Sequence, residues 1–409
     1  MLTEKEKLDT LTHLAIVLNQ VRDQDILLEH VLTQARRFVN ADAGSIYIAN
    51  GQTLLFTYTQ NDTLQKRLSK GQKLIYSTFK LPINKQSMAG YVAITGKPLN
   101  LPDVYNLDPC LPYKFSREFD EASHYKTCSA LTLPLKSGNG HTLGILQIIN
   151  AQDENGRVVP FSEKDERMMM HFASIAAVAI ERAQMTRAII LRMIRMAELR
   201  DPKETGAHVN RVGGFAVELY ERWAVKHNYD RKTIDKNRDI LRMAAMLHDV
   251  GKVAISDLIL KKPGRFSSDE FEIMKQHSIL GAQLFRGGES DFDDAAAVVA
   301  LTHHERYDGN GYPGHIDLTT GMPLEGFEQH NGEARGKKGD EIPLYGRIVA
   351  LADVYDALST ARIYKEAWDE PQVLETIEEE SGHHFDPELV EIFFSSIDVL
   401  RSIQKRYTD

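Results

Sequence analysis

The chain has 409 residues, 42% of them hydrophobic, and a formal net charge of −9 at a pI near 5.9. That length exceeds what one core usually holds and predicts two domains, while the acidic balance excludes sequence-independent binding to long nucleic acids, which needs a basic face. Cys110 and Cys128 are the only cysteines, so no disulfide framework or thiolate metal site is expected, and any metal must be held by histidine and carboxylate.

The charged opening MLTEKEKLDT lacks the apolar run of a signal peptide. No aliphatic stretch is long enough to cross a bilayer, so a cytoplasmic protein without membrane insertion is expected. A Thr3-x-x-Glu6 capping pattern starts a helix with Leu8, Leu11, Ala15 and Leu18 on one side. Short β-rich runs follow at 45–49, 54–58 and 142–149, punctuated by Gly, Asn and Pro, and predict an antiparallel sheet with helices. Ser162-x-x-Asp165 marks a second helix start, with Met168, Phe172, Ile175 and Ala179 at alternating spacings of four and three. Helical character runs to about Arg200. A helix of roughly 35 residues spans about 50 Å, suited to joining domains or pairing with a twin, and a parallel homodimer along that seam is expected. The resulting division is 1–160, a linking helix at 161–200, and 201–409.

The strings MAGYVAITGKPLNLPDVY from Met88, HYKTCSALTLPL and GILQIIN resemble the GAF family of small-molecule sensor domains, over roughly residues 10 to 183. The resemblance implies an α+β fold, an antiparallel sheet with helices. Lys114 with Phe119-Asp120-Glu121 is similar in part to the signature of GAF domains that bind cyclic nucleotides; a solvated charged loop is the alternative reading. A small molecule or cyclic nucleotide is the ligand this implies.

Beyond residue 200 the polar residues become chemically informative. Glu204 and His208 lie four apart, one helical turn, and could share an ion from one face. His248 and Asp249 end an apolar run, where an unpaired pair would cost several kcal/mol, on the order of 2–7, and so demands partners. Neighbouring helical positions point about 100° apart, so His248 and Asp249 are expected to serve two ions, with Asp249 bridging through its two oxygens. His277, the adjacent pair His303-His304 and Asp353 extend the series. The turn Gly309-Asn310-Gly311-Tyr312-Pro313 is expected to bend the chain over the cluster. A donor set of histidine and carboxylate suits iron or manganese, and zinc less exclusively.

These motifs, through HVNRV, HDVGKVAI, MKQHSILGAQL, HHERYDGNGYP, IPLYGRIVALADVYDALSTARIYK and SGHHFDPELV, closely resemble the HD-GYP domains, a branch of the HD phosphohydrolases, from about Met193 to Ser396. The resemblance implies an all-α helical bundle that hydrolyses cyclic dinucleotides, mostly cyclic di-GMP, with two or three divalent ions. Its metal ligands fall on Glu204, His208, His248, Asp249, His277, His303, His304 and Asp353, with Glu204 at the position associated with a third ion. Lys252, Arg362 and Lys365 match positions that contact substrate phosphate, and Tyr312 is placed with them on the substrate. His248, Asp249 and Lys252 carry the catalysis. The implied whole is a GAF sensor at 1–160 joined by a long helix to a metal-dependent phosphodiesterase at 201–409.

The expected chemistry is attack on a phosphodiester phosphorus by water whose pKa the ions lower towards neutrality, with the cations stabilising charge on the nonbridging oxygens. Hydrolysis of cyclic di-GMP to linear pGpG or GMP is the leading expectation. The alternatives are a phosphodiesterase acting on 3′3′-cyclic GMP-AMP, a catalytically silent cyclic dinucleotide receptor, and a nucleotide phosphohydrolase of the wider superfamily. One departure from the family is the stretch LEGFEQHNGEARGKKG after Pro313, read as a solvated excursion rather than a substrate lid. His383-His384 is placed outside the metal set, at a helix start.

Overall fold

The structure, a computed structural model, describes residues 4–69, 72–74, 79–198, 206–288, 290–360 and 368–407. It divides into two compact units, Met1–Arg187 and Ala188–Asp409.

In the first unit, helices α1 (Glu4–Gln20) and α2 (Gln24–Phe38) precede strands β1 (Ala41–Asn50) and β2 (Thr53–Asn61). Then come α3 (Asp62–Gln65), β3 (Lys80–Pro82), α4 (Met88–Thr95), β4 (Leu99–Leu101), α5 (Glu118–Ser123), β5 (Ala130–Lys136), β6 (Thr142–Gln152) and β7 (Val158–Val159). Among the described residues the strands form one antiparallel sheet in the order β3-β2-β1-β6-β5-β4, with β7 on β6. Asp23 caps α2 by accepting from the Asp25 and Ile26 amides, which fixes the rotation that buries Ile26, Leu27, Val31, Leu32 and Phe38.

Helix α6 (Glu163–Glu198) begins where its sequence signal lies. The Ser162 hydroxyl accepts from the Asp165 amide at 3.1 Å and donates to the Asp165 carboxylate at 2.7 Å. The pairing seam expected along it is corrected. Phe172 and Ala179 are buried inside the first unit, with the Phe172 ring 6.0 Å from that of Phe38. Burying such a ring stabilises the domain by about 1.5–3 kcal/mol. An apolar stripe covering a helix of its own domain has nearly the same period as a coiled-coil seam, so spacing alone did not separate them. The exposed apolar residues of α6 are instead Val178, Met185, Ile189, Met193 and Met196.

The second unit is helical: α7 (Gly206–Lys226), α8 (Arg231–Met246), a 3-10 turn at Val250–Ala254, α9 (Asp257–Leu260), α10 (Ser268–Gln283), α11 (Asp291–Thr302), α12 (Leu344–Ser359), α13 (Glu370–Glu379) and α14 (Pro387–Arg406). Phe215, Leu219, Leu241, Val299, Ile348, Leu351, Tyr355 and Phe393 form its central core. No helix among the described residues is long and apolar enough to cross a membrane.

Between α11 and α12 the inserted stretch forms a turn-rich excursion with short bridges at Ile316–Pro323 and Glu328–Ala334. Its root is tied by the buried Glu305, which accepts from the Gly314 amide at 2.7 Å and the Lys337 amide at 3.0 Å. Most of its side chains are exposed.

Candidate metal centre

The centre is built from side chains of α7, α10 and α12 and from the chain just after α8 and α11. After α8 the chain turns sharply, and the 3-10 turn packs against α10 through Gly251. A Cβ there would lie 1.9 Å from the His277 carbonyl oxygen and 2.4 Å from the Gly281 nitrogen, so only glycine allows the approach. That approach sets Asp249 beside His277.

Two clusters of ligand-competent atoms result. Asp249, His277, His303 and His304 form one, and His208, His248 and Asp353 the other, each with its atoms within 4.8 Å of one another. Asp249 faces both. Its Oδ1 lies 3.1 Å from His277 Nε2 and 3.7 Å from His303 Nε2, while its Oδ2 lies 3.3 Å from His248 Nε2. In the second cluster Asp353 Oδ1 lies 3.5 Å from His208 Nε2 and 3.9 Å from His248 Nε2.

The hydrogen bonds of the rings decide what these atoms can hold. His248 Nδ1 donates to the Ala245 carbonyl at 2.8 Å, His277 Nδ1 to that of Met274 at 2.7 Å, and His303 Nδ1 to that of Ala300 at 3.0 Å. A carbonyl only accepts, so each neutral ring carries its proton on Nδ1 and turns the Nε2 lone pair to the centre. His277 and His303 thereby set two lone pairs 3.5 Å apart, next to an Asp249 Oδ1 that is buried with no donor. Lone pairs and a carboxylate converging in a buried place fit a cation. Burial pushes the His303 imidazole below its ordinary pKa and the His304 imidazole well below it, keeping both in the ligating form. Burial alone would raise the Asp249 carboxyl, but the Lys252 ammonium leads the influences that hold the group well below the usual range.

Seven of the eight ligand positions expected from sequence are thus gathered in the two clusters. Glu204, Arg362 and Lys365 lie outside the described residues. Lys252 Nζ sits 2.6 Å from Asp249 Oδ2. Tyr312 returns over the centre as the turn predicts: its amide donates to the His304 carbonyl at 3.2 Å, and its ring stacks on the His304 ring at 4.8 Å and 28°. Gly309 has φ of +89°. His383 and His384 stand outside both clusters, just before α14. Their carbonyls accept from the amides of Asp308 at 2.8 Å and Tyr307 at 3.1 Å, clamping the loop that follows His304.

Sequence reasoning missed Asp356 and Arg211. Asp356 Oδ2 accepts from His208 Nδ1 at 2.8 Å, and Arg211 grips the same carboxylate at 2.6 and 3.0 Å. The carboxylate fixes the tautomer and orientation of a ligating ring. The available signal was the i, i+3 spacing of Asp353 and Asp356, which puts both on one face of α12.

The first unit holds a separate cavity of about 990 Å³, lined by Ser45, Tyr47, Phe56, Thr59, Phe79 and Gln147 among others. Lys114 and Asp120 also line it. Asp120 is committed inside the domain, accepting from the Thr127 amide at 2.7 Å, the Thr127 hydroxyl at 2.9 Å and the Tyr105 hydroxyl at 2.8 Å.

The first unit is thus an antiparallel sheet beside a cavity, and the second a helical bundle with two histidine-carboxylate clusters. Residues 23–180 match the GAF domain model, and residues 205–358 match the HD domain model, with a second HD domain match at 328–389. A GAF domain match thus precedes an HD domain match along the chain. It is 39% identical over 225 residues to a cyclic di-GMP phosphodiesterase of Vibrio cholerae, a match covering 54% of this chain and 41% of that protein. It is 32% identical over 230 residues to a 3′3′-cGAMP-specific phosphodiesterase of the same organism, covering 56% and 38%. A cyclic di-GMP phosphodiesterase of Thermotoga maritima is 35% identical over 221 residues, covering 54% and 52%. The chain therefore spans between 38% and 52% of the length of these curated relatives.

Proposed function

We propose that the chain is a metal-dependent phosphodiesterase that hydrolyses a cyclic dinucleotide, cyclic di-GMP first, to linear pGpG or GMP. The observation that carries the reading is Asp249, whose two oxygens face separate ligand clusters. Divalent ions held there, iron or manganese by the absence of thiolate donors, would supply an activated water and neutralise phosphate charge. Asp249 would hold both ions through its two oxygens, the Nδ1 hydrogen bonds orient the histidine rings, and Lys252 beside Asp249 would meet a nonbridging oxygen. Arg362 and Lys365 act with it on the phosphates, Tyr312 borders the substrate over His304, and Glu204 with His208 supports a third ion. Relatives named for cyclic di-GMP and for 3′3′-cGAMP favour the substrate class and make 3′3′-cGAMP the second reading.

The chain works in this proposal as a cytosolic homodimer, pairing along the exposed Val178, Met185, Ile189 and Met196 of α6, with a small molecule or cyclic nucleotide in the sensor cavity setting the rate. The test is anaerobic loading with iron or manganese and side-by-side turnover of the two substrates. Turnover of cyclic di-GMP should fall about a thousandfold or more in Asp249→Asn. Tight binding of either dinucleotide with no turnover in the loaded wild type would make the chain a receptor instead.

A further inference from the structure

Outward from His304 and Tyr312, the chain places an aromatic ring where a folded core has no use for one. Phe271, on the face of α10 turned to the Gly-Tyr-Pro turn, is 45% exposed, although its ring meets the Tyr312 ring edge-on at 6.1 Å and 82°. Lys275, one helical turn on, has its ammonium 5.7 Å from the Phe271 centroid and 5.8 Å from that of Tyr312. The ammonium is otherwise held by Glu272 at 2.5 Å and, from the inserted excursion, by Glu333 at 3.7 Å. The sequence thus continues without a break from a metal-ligating imidazole, through a stacked phenol, to a half-exposed phenyl beside a cation.

We infer that Phe271, bordered by Lys275, is the platform on which a purine base of the substrate stacks. The inference rests on the reading of the adjacent clusters as a cyclic dinucleotide site. Phosphate and metal contacts are blind to the base, so a site that tells nucleotides from other phosphodiesters needs a surface one ribose away from the phosphate. An aromatic face supplies it, because every base has a π-face. Lys275 complements it twice: an ammonium at the edge of the stack attracts the ring electrons, and it can donate to the acceptor edge of a guanine. Its pairs with Glu272 and Glu333 are surface ion pairs, which are weak and readily exchanged. Phe271 is therefore a specificity residue that touches the base and not the reacting phosphate.

The experiment compares two ligands with the same phosphate and sugar but only one base. Manganese-loaded full-length chain is titrated calorimetrically with GMP and with ribose 5-phosphate. In the wild type GMP should bind about tenfold tighter, the scale of one base–aromatic stack. In Phe271→Ala the ratio should fall to near one, while affinity for ribose 5-phosphate and metal content stay as they were; Phe271→Trp should keep or raise the ratio. A wild-type ratio near one, undetectable binding of GMP, or a preference that survives Phe271→Ala overturns the platform. Cyclic di-GMP turnover, measured on the same samples, separates the two readings: its absence beside a Phe271-dependent GMP preference sinks the phosphodiesterase and leaves the base site standing.

Discussion

Asp120 in the first unit and Asp249 in the second are both largely buried carboxylates, and their surroundings ask opposite things of them. Around Asp120, and likewise around Asp42, which accepts from the hydroxyls of Thr63 at 2.9 Å and Tyr125 at 2.8 Å, the domain supplies its own donors. Around Asp249 it supplies lone pairs, plus one ammonium on Oδ2, and Oδ1 keeps no donor at all. A buried acid satisfied by donors is finished architecture; one surrounded by acceptors is half of an interaction whose other half is a cation. The same residue type thus reads as scaffold or as site according to the polarity of its neighbours, and the predictions test that contrast.

The largest effect is expected where the second environment is assembled. Gly251→Ala would press a methyl into the His277 carbonyl and the Gly281 backbone, neither of which can rotate away. Forced overpacking usually costs about 1–3 kcal/mol, with backbone obstacles at or above the upper end. The 3-10 turn should back away from α10, parting Asp249 from His277. Metal analysis should show loss of bound ion and turnover should vanish while circular dichroism stays helical. Retention of full metal content would mean that the close approach does not assemble the centre.

A smaller effect is expected one layer behind the ligands. Asp356→Asn keeps the volume but weakens the hold on His208 Nδ1 and on Arg211. Partners of this kind are typically worth about tenfold to a hundredfold in metal affinity. The loss should appear in one class of bound ion only, since Asp356 touches the His208, His248 and Asp353 cluster and not the other. A uniform loss from both clusters would turn Asp356 into a general support of the fold.

That layer also marks how far the sequence was legible. Adjacent pairs such as His248-Asp249 and His303-His304 announce themselves, because neighbouring residues at a chain reversal can serve different ions and the residue types leave few other uses. The turn through Gly309 and Pro313 follows from rules just as local, whereas the packing of Gly251 on the His277 carbonyl is a long-range contact that no local pattern announced. Asp356 did not announce itself: a carboxylate acting through another ring sits in an ordinary helix, and only its contact with His208 across 148 positions gives it a role. Phe172 misled for the complementary reason, since its spacing is shared by two kinds of partner and the choice of Phe38 over a second chain is made by the fold around it. The excursion after Pro313 was legible as exposed, whereas its anchoring by Glu305 depends on which backbone amides happen to reach a buried carboxylate.

The smallest effect belongs to the satisfied acid, and it decides whether Asp120 serves the cavity it lines. Asp120→Asn replaces one acceptor oxygen by an amide that donates, so at least one of the Thr127 amide, Thr127 hydroxyl and Tyr105 hydroxyl must lose its partner. Leaving a buried donor unsatisfied costs about 1–3 kcal/mol, which lowers the melting temperature of the first unit by several degrees. Metal content and the turnover of a loaded enzyme should not change, because no ligand of either cluster belongs to this unit. If Asp120 were instead a ligand contact, as its partial match to the cyclic-nucleotide signature suggests, Asn would leave melting in the absence of ligand untouched and abolish the stabilisation produced by cyclic GMP or cyclic AMP. Melting curves with and without those nucleotides distinguish the cases. The three donors already converging on its two oxygens favour the first, since a carboxylate so engaged has little left to offer a guest.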